Sequence, residues 1–353
     1  MNWFLRILFT ILLLAGWGVL SYLYADFTLG SPKRDKPVEV EIPPDTSLKQ
    51  IGNILKEKRL IRESYFFRFY AIYKKKTNLK AGVYQIEPGE TLADILNKIS
   101  AGDENVVKVT IPPGFNAMQI ANRLERLGFD KEGFLDALNH KKPKYQFELE
   151  IPNDPRRPYR LEGYLYPSTY QFRKNAKPED IVNAMLEQFA KCMNELEARE
   201  QLTANAKNLT KGMTIDKWVT VASLVEREGQ VKDELPRIAG VIYNRLNSGN
   251  DNQILRIDAT LAYINLMNGK PAKVTASMKN IRNPYNTYKI VGLPPGPIGS
   301  PDRDALEAAL NPEKHNYQWY VTRSDNSGRH YFSSTYRQHQ QFIQLSNRNE
   351  AVH

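Results

Sequence analysis

Apolar and polar positions divide the chain into three patterned regions. Ile7 to Tyr24 runs eighteen residues without a charge. At about 1.5 Å rise per residue, a helix of that length spans most of a ~30 Å hydrocarbon core. Trp3, Trp17, Tyr22 and Tyr24 place amphipathic rings near its ends, at headgroup level. Leu23, Tyr24 and Ala25 precede Asp26, and Leu23 is too large for a small-x-small cleavage site. Residues 1–25 therefore read as an uncleaved transmembrane helix. Arg6 and the free amino group favour an inside amino terminus, against Lys33, Arg34 and Lys36 on the other flank. Residues 26–37 are polar, carry Gly30, Pro32 and Pro37, and read as a tether.

From residue 38 to 140 one short pattern recurs three times, at Ile42 to Leu55, Ile86 to Ile99 and Ile111 to Leu124. Each copy is a strand end, a proline turn, a polar cap, then apolar residues at i, i+3 and i+7. That spacing marks a single buried helix face, so the region reads as a small α+β set of related modules. The middle copy, Ala81-Gly-Val-Tyr-Gln-Ile-Glu-Pro-Gly-Glu-Thr-Leu-Ala-Asp-Ile-Leu, resembles a LysM module. That resemblance implies binding to N-acetylglucosamine polymers. Without it, Pro-Gly-Glu-Thr-Leu is a turn followed by a helix cap.

Residues 141–160 are rich in proline and charge and read as a linker to a second domain at 161–345. There Asp180 to Glu200, Thr214 to Glu228 and Pro236 to Asn247 have helical spacing. Trp319-Tyr-Val-Thr and His330-Tyr-Phe-Ser read as paired strands across Asp325-Asn-Ser-Gly. The pattern predicts a mixed α+β domain.

Composition narrows the chemistry. Lys and Arg outnumber Asp and Glu by 49 to 39, a formal charge of +10 that suits polyanions such as anionic lipid or a carboxylate-bearing wall polymer. No dense basic stretch accompanies a nucleic-acid motif, so nucleic acid is not an expected partner. Cys192 is the sole cysteine, which excludes an internal disulfide and four-cysteine zinc. None of the five histidines forms an H-x-x-x-H pair, and no metal is expected.

Thr214 to Glu228 carries the candidate chemistry. Thr214 is a plausible cap, Asp216 suits the positive helix end, and Ile215, Trp218, Val219, Val221, Ala222, Leu224 and Val225 form a broad apolar face. At 100° per residue, Glu226 falls beside Ile215 and Val219, and Glu228 between Val221 and Leu224. A carboxyl at such an apolar edge has the raised pKa that a general acid needs near neutral pH. Periodicity alone leaves both as solvated helix-end residues or either as that acid.

Val221-Ala-Ser-Leu-Val-Glu-Arg-Glu228 with Val241-Ile-Tyr-Asn-Arg-Leu246 resembles the endolytic murein transglycosylase G (YceG-like) family. So do Leu161-Glu-Gly-Tyr-Leu-Tyr-Pro-Ser-Thr-Tyr-Gln-Phe172, Tyr285-Asn-Thr-Tyr288, Gly292-Leu-Pro-Pro-Gly-Pro-Ile298 and His330-x-Phe332-x-x-Thr335-x-x-x-His339. These motifs stand in the family's order across nearly the whole chain. The resemblance implies a lytic transglycosylase that cleaves the MurNAc-GlcNAc bond of glycan strands without a cofactor. It places catalysis on Glu228. It makes Glu226, Glu162, Asn244, Asp258, Tyr285, Asn286 and Tyr288 substrate-binding candidates. It also implies a single-pass protein of the bacterial cytoplasmic membrane, held by residues 7–24, facing the periplasm or wall and in contact with the peptidoglycan-synthesis machinery. Ser168 replaces a usual acidic residue, and Arg256-Ile-Asp258-Ala-Thr260 replaces Gln-x-Asp-Pro-Thr, so the roles of Ser168, Arg256 and Ala259 do not carry over. Two alternatives stand beside this expectation. One is a hydrolytic muramidase using Glu226, Asp258 or Glu162 to activate water, and the other a non-catalytic wall-binding scaffold.

Overall fold

The computed structural model describes residues 2–30, 32–102, 106–204, 209, 212–249 and 253–350. The chain forms two compact units, Met1–Val107 and Lys108–His353. The described residues are helices with three two-stranded sheets, a mixed α+β fold.

The first unit runs α1 (Asn2–Leu29), β1 (Val38–Ile42), α2 (Leu48–Glu57), α3 (Ser64–Tyr73), β2 (Gly82–Ile86) and α4 (Leu92–Ala101). β1 and β2 pair antiparallel, with Val38 opposite Ile86 and Ile42 opposite Gly82. Their alternation points Val40, Ile42, Tyr84 and Ile86 inward. Onto them pack Ile51 and Leu55 of α2 and Leu92, Ile95 and Ile99 of α4, the residues at the repeat's apolar spacing. The expected polar caps are capping boxes, Ser47 with Gln50 and Thr91 with Asp94. α1 is continuous over 28 residues. Several of its side chains lie outside the described residues, and among those described no helix is long and apolar enough to cross a membrane.

The division between units falls inside β3 (Val106–Thr110). The second unit continues with α5 (Ala117–Arg126), α6 (Lys131–His140), β4 (Thr169–Arg173), α7 (Pro178–Glu195), α8 (Ala198–Ala204), α9 (Ile215–Glu228) and α10 (Leu235–Leu246). Then follow α11 (Asp258–Met267), α12 (Arg303–Leu310), β5 (Trp319–Thr322), β6 (His330–Ser333) and α13 (Tyr336–Glu350). β5 and β6 pair antiparallel, Trp319 opposite Ser333 and Thr322 opposite His330, as the strand patterns predict.

Three expectations about boundaries are corrected. The third repeat copy does not belong with the other two. Gly114 N–H donates to Ser300 O at 2.8 Å, and the first amide of α5, Ala117 N–H, donates to the buried Glu162 at 3.0 Å, so this copy is part of the second unit. The stretch 141–160 is not a linker. It holds the buried pairs Lys141–Glu148 at 2.6 Å and Arg157–Asp216 at 2.5 Å, and its Phe147 stacks on Tyr164. The proline and charge that suggest a tether here serve packed turns and buried ion pairs. The helix expected over Asp180 to Glu200 breaks at Glu197, which turns to φ 47° between α7 and α8.

α9 is the central helix of the second unit, packed against α10, α11 and α12. Thr214 caps it, its hydroxyl accepting from Lys217 N–H at 3.2 Å. Trp218, Val219, Val221, Ala222, Leu224 and Val225 are fully buried, and Trp218 Nε1–H reaches Leu306 O of α12 at 3.0 Å. Burial on nearly all sides fixes the rotation of α9 and the direction in which each glutamate at its end points.

Candidate active site

α9 ends at Gly229, whose φ of −86° is ordinary. A Cβ at this position would lie 2.2 Å from Leu235 Cδ2, so a larger residue here would make the Leu235 side chain move. Beside Gly229, Glu228 faces a cavity of about 860 Å³. Four other elements supply the walls. β5 brings Trp319 and Tyr320, α10 brings Arg245, the start of α11 brings Asp258, and the loop after it brings Lys279 and Tyr288. Arg256, Tyr336 and His339 complete the rim.

Tyr320 O–H donates to Glu228 Oε2 at 2.9 Å, and Tyr288 O–H donates to Asp258 Oδ1 at 2.6 Å. Each acid therefore has its own phenol. Arg245 Nε–H donates to Gln318 O at 2.6 Å, its guanidinium also reaches Leu255 O, and it sits 5.7 Å from the Tyr320 ring. Arg245 so ties the strand carrying Tyr320 to the helix bundle behind it.

Glu228 keeps part of its surface open to the cavity, yet its carboxyl is crowded by protein atoms. Burial pushes its pKa up, and the like charge of Asp258 adds to the rise. The hydrogen bonds from Tyr320 and from the Ala259 backbone pull it back, as does nearby His330. Burial likewise lowers the pKa of Arg245, and that of His339, where the Arg245 charge contributes. The site thus holds a carboxyl group with a raised pKa beside the Asp258 side chain, among cationic and aromatic walls. Such a carboxyl can give a proton to a leaving oxygen and take one back. Among the described residues, no group of three or more His, Cys, Asp or Glu could hold a metal.

The sequence model of the YceG-like family matches residues 40–345. The chain belongs to the YceG-like family. An endolytic murein transglycosylase of Streptococcus pneumoniae (serotype 2, strain D39) is 32% identical over 359 residues, covering 94% of this chain and 63% of that protein. This chain thus spans less than two thirds of the pneumococcal relative's length. An endolytic murein transglycosylase of Bacillus subtilis (strain 168) is 29% identical over 345 residues, covering 94% of this chain and 91% of that protein. Among solved structures, a yceG-like protein from Listeria monocytogenes superimposes with a TM-score of 0.56 at 31% identity, over 87% of this chain and 99% of that one.

In this YceG-like chain the cavity gathers only some of the residues expected in the site. Glu228, Asp258 and Tyr288 line it together. Glu226, two residues from Glu228, points away from that lining. Its Oε2 accepts from Asp302 N–H, the cap of α12, at 3.0 Å, and burial raises its pKa to about 8. Glu162 is buried under α5, accepting from Ala117 N–H and from Tyr263 O–H at 3.2 Å, and burial raises it to about 8. Asn244 donates to His315 O at 2.8 Å and Tyr317 O at 2.9 Å, holding the approach to β5. Asn286 is fully buried and donates to Ile281 O at 2.8 Å, closing its own loop. Tyr285 is buried with its ring 4.9 Å from that of Tyr263. These five are not among the residues that line the cavity. The sequence reading missed Tyr320, Trp319, Arg245 and Lys279. Arg245 and His339 lie within quoted motifs and Trp319-Tyr320 in the expected strand, but nothing local marks them as facing Glu228.

Proposed function

We propose that this chain is an endolytic lytic transglycosylase of peptidoglycan, with Glu228 as its general acid and base. The observation that carries the reading is Glu228 itself. Its pKa is raised by burial, its carboxyl is held by the Tyr320 hydroxyl, and it opens on a cavity of about 860 Å³. The two curated relatives named above are both endolytic murein transglycosylases, which supports the same substrate class.

Hydrolytic glycosidases ordinarily place two carboxylates about the scissile bond, one for the leaving group and one for water or the anomeric carbon. A lytic transglycosylase uses a nucleophile already on the substrate. Glu228 protonates the oxygen joining MurNAc C1 to GlcNAc, and that C–O bond breaks. The C6 hydroxyl oxygen of the same MurNAc bonds to C1, and its proton passes to the Glu228 carboxylate. The product is a 1,6-anhydro ring, no water is consumed, and the acid is regenerated. Intramolecular attack benefits from proximity, so no second carboxylate has to hold a nucleophile. Asp258 and the Tyr288 hydroxyl then act on the oxocarbenium-like state through charge and hydrogen bonding. Glu226, Glu162, Asn244, Tyr285 and Asn286 fix the walls that place these groups.

The proposal extends to location. The uncharged run of residues 7–24 supports an anchor in the cytoplasmic membrane with the body outside it, where glycan strands are. The first unit, with its LysM-like copy, is proposed to grip glycan, and contact with the peptidoglycan-synthesis machinery follows from the same placement.

Purified peptidoglycan digested in heavy-oxygen water tests the reading, with products weighed by mass spectrometry. Wild-type chain should release 1,6-anhydro-MurNAc ends free of label, and Glu228→Gln should release none while keeping its fold. Labelled reducing ends would mean a muramidase, for which Asp258 in the same cavity is the available second carboxylate. Folded wild-type chain that binds peptidoglycan and cuts nothing would mean a scaffold.

A further inference from the structure

α3 is apolar on both of its faces. Phe67 and Ala71 are buried in the core of the first unit. On the opposite side Tyr65, Phe69, Ile72 and Tyr73 are 55%, 66%, 54% and 69% exposed. At 100° per residue these four fall within about 100° of arc, forming one continuous stripe. A surface helix of a soluble domain carries polar residues there, and a helix apolar all round is one that something covers. Cations border the stripe. Arg68 is exposed beside it, and Lys74, Lys75 and Lys76 follow the helix end, with Lys74 Nζ 5.4 Å from the Tyr73 ring.

The neighbour of this stripe in the fold is α1. Tyr24 and Tyr65 share a hydroxyl hydrogen bond of 2.8 Å, and the Tyr24 and Phe66 rings meet edge to face at 6.0 Å. Arg62, just before α3, lies 3.7 Å over the Phe27 ring. α1 itself exposes large apolar side chains, among them Leu13, Trp17, Leu20 and Phe27. The exposed stripe of α3 therefore begins where the apolar helix ends.

We propose that the outer face of α3 is a lipid-contacting surface, lying in the headgroup region of an anionic bilayer beside the end of α1. Three features match that occupant. Aromatic rings with hydroxyls, Tyr65 and Tyr73, suit the boundary between headgroups and hydrocarbon. Phe69 and Ile72 supply the apolar wedge that an interfacial helix buries. Lysines 74–76 meet anionic headgroups. Lipid contact there restrains the first unit at the surface rather than leaving it free on the tether. The inference rests on the anchor proposed above.

The test uses the full chain reconstituted into phosphatidylglycerol and phosphatidylcholine vesicles, with a nitroxide on an introduced cysteine. Cys192 is buried, which directs labelling to the new site. Ile72→Cys and Tyr73→Cys labels should be accessible to oxygen and shielded from a water-soluble nickel chelate, more so with phosphatidylglycerol. A label at exposed Lys49 on α2 should report water. Adding Phe69→Glu, which changes an exposed side chain and leaves the core intact, should return the Tyr73→Cys label to water. A label open to nickel in both vesicles overturns the proposal. So does a label shielded from both reagents in vesicles and in detergent alike, which would mark a protein interface. Chain that fails to enter vesicles at all sinks the anchor reading, whereas inserted chain with an aqueous label sinks only this one.

Discussion

Tyr320→Phe isolates the hydroxyl that sets how firmly Glu228 holds its proton. The ring stays, so its packing at 5.5 Å against His330 and 6.2 Å against Phe332 is kept. The 2.9 Å hydrogen bond to Glu228 Oε2 is lost. That bond favours the ionised carboxylate and holds the pKa of Glu228 below where burial alone would put it. A hydrogen bond to a charged group contributes about 1.5–3 kcal/mol, and one pH unit corresponds to about 1.36 kcal/mol. The ionised form of Glu228 should therefore become less stable by that amount in the variant. The high-pH limb of kcat/KM, where the acid loses its proton, should move up by about one to two pH units. The rate at the optimum should fall, because a weaker acid transfers its proton less readily. Release of soluble fragments from purified peptidoglycan, followed from about pH 5 to pH 10, reads both effects. A limb that stays in place, or moves down, would refute the assignment of Glu228 as the titrating acid held by Tyr320.

Three further outcomes follow from the surrounding contacts. Glu162 titrates at about 8 folded against 4.5 as the reference, so its contribution to stability is complete below pH 4.5 and lost as pH rises towards 8. Urea unfolding at both ends of that window should show a shallower pH slope for Glu162→Gln, and an unchanged slope would contradict the burial argument. Arg157→Met strands the buried Asp216 carboxylate, which Arg157 meets at 2.5 Å and Tyr164 O–H at 2.9 Å. It should cost about 3–5 kcal/mol of unfolding free energy, and a loss under about 1 kcal/mol would show the pair to be dispensable. Glu226→Gln should keep substantial peptidoglycan cleavage, since Glu226 serves the α12 cap; equal loss in this variant and Glu228→Gln would leave catalysis unassigned.

The elements set by local spacing were legible in the sequence. The faces of α2, α4 and α5 follow from apolar residues at i, i+3 and i+7, and Ser47, Thr91 and Asn116 cap them as a polar residue before such a run should. The motif helix ends where its cap and glycine place it. What spacing could not supply was the partner of each face. Glu226 and Glu228 both sit at an apolar edge, and only packing on nearly all sides of α9 sends one to α12 and the other to the cavity. Tyr320, 92 positions from Glu228, reaches it through strand pairing that no local pattern encodes. Asn244 and Asn286 show the opposite limit. Polar side chains in a motif look like ligand contacts, yet here their amides hold loop carbonyls that would otherwise be unsatisfied.

Asp258 is where the two chemistries open to this cavity diverge. As an anion beside Glu228 it raises the pKa of the acid, which favours a protonated Glu228 at the start of the reaction. That influence requires only its charge and serves the transglycosylase route. To activate water instead, Asp258 would have to present a free oxygen to a molecule held at the anomeric carbon. One of its oxygens is occupied by the Tyr288 hydroxyl at 2.6 Å. In the route proposed above, the Tyr288–Asp258 pair holds a negative charge near the forming oxocarbenium ion. Of the two carboxyl groups in this cavity, Glu228 is the one whose pKa burial raises, and in the route proposed above it moves the proton while the sugar supplies the nucleophile.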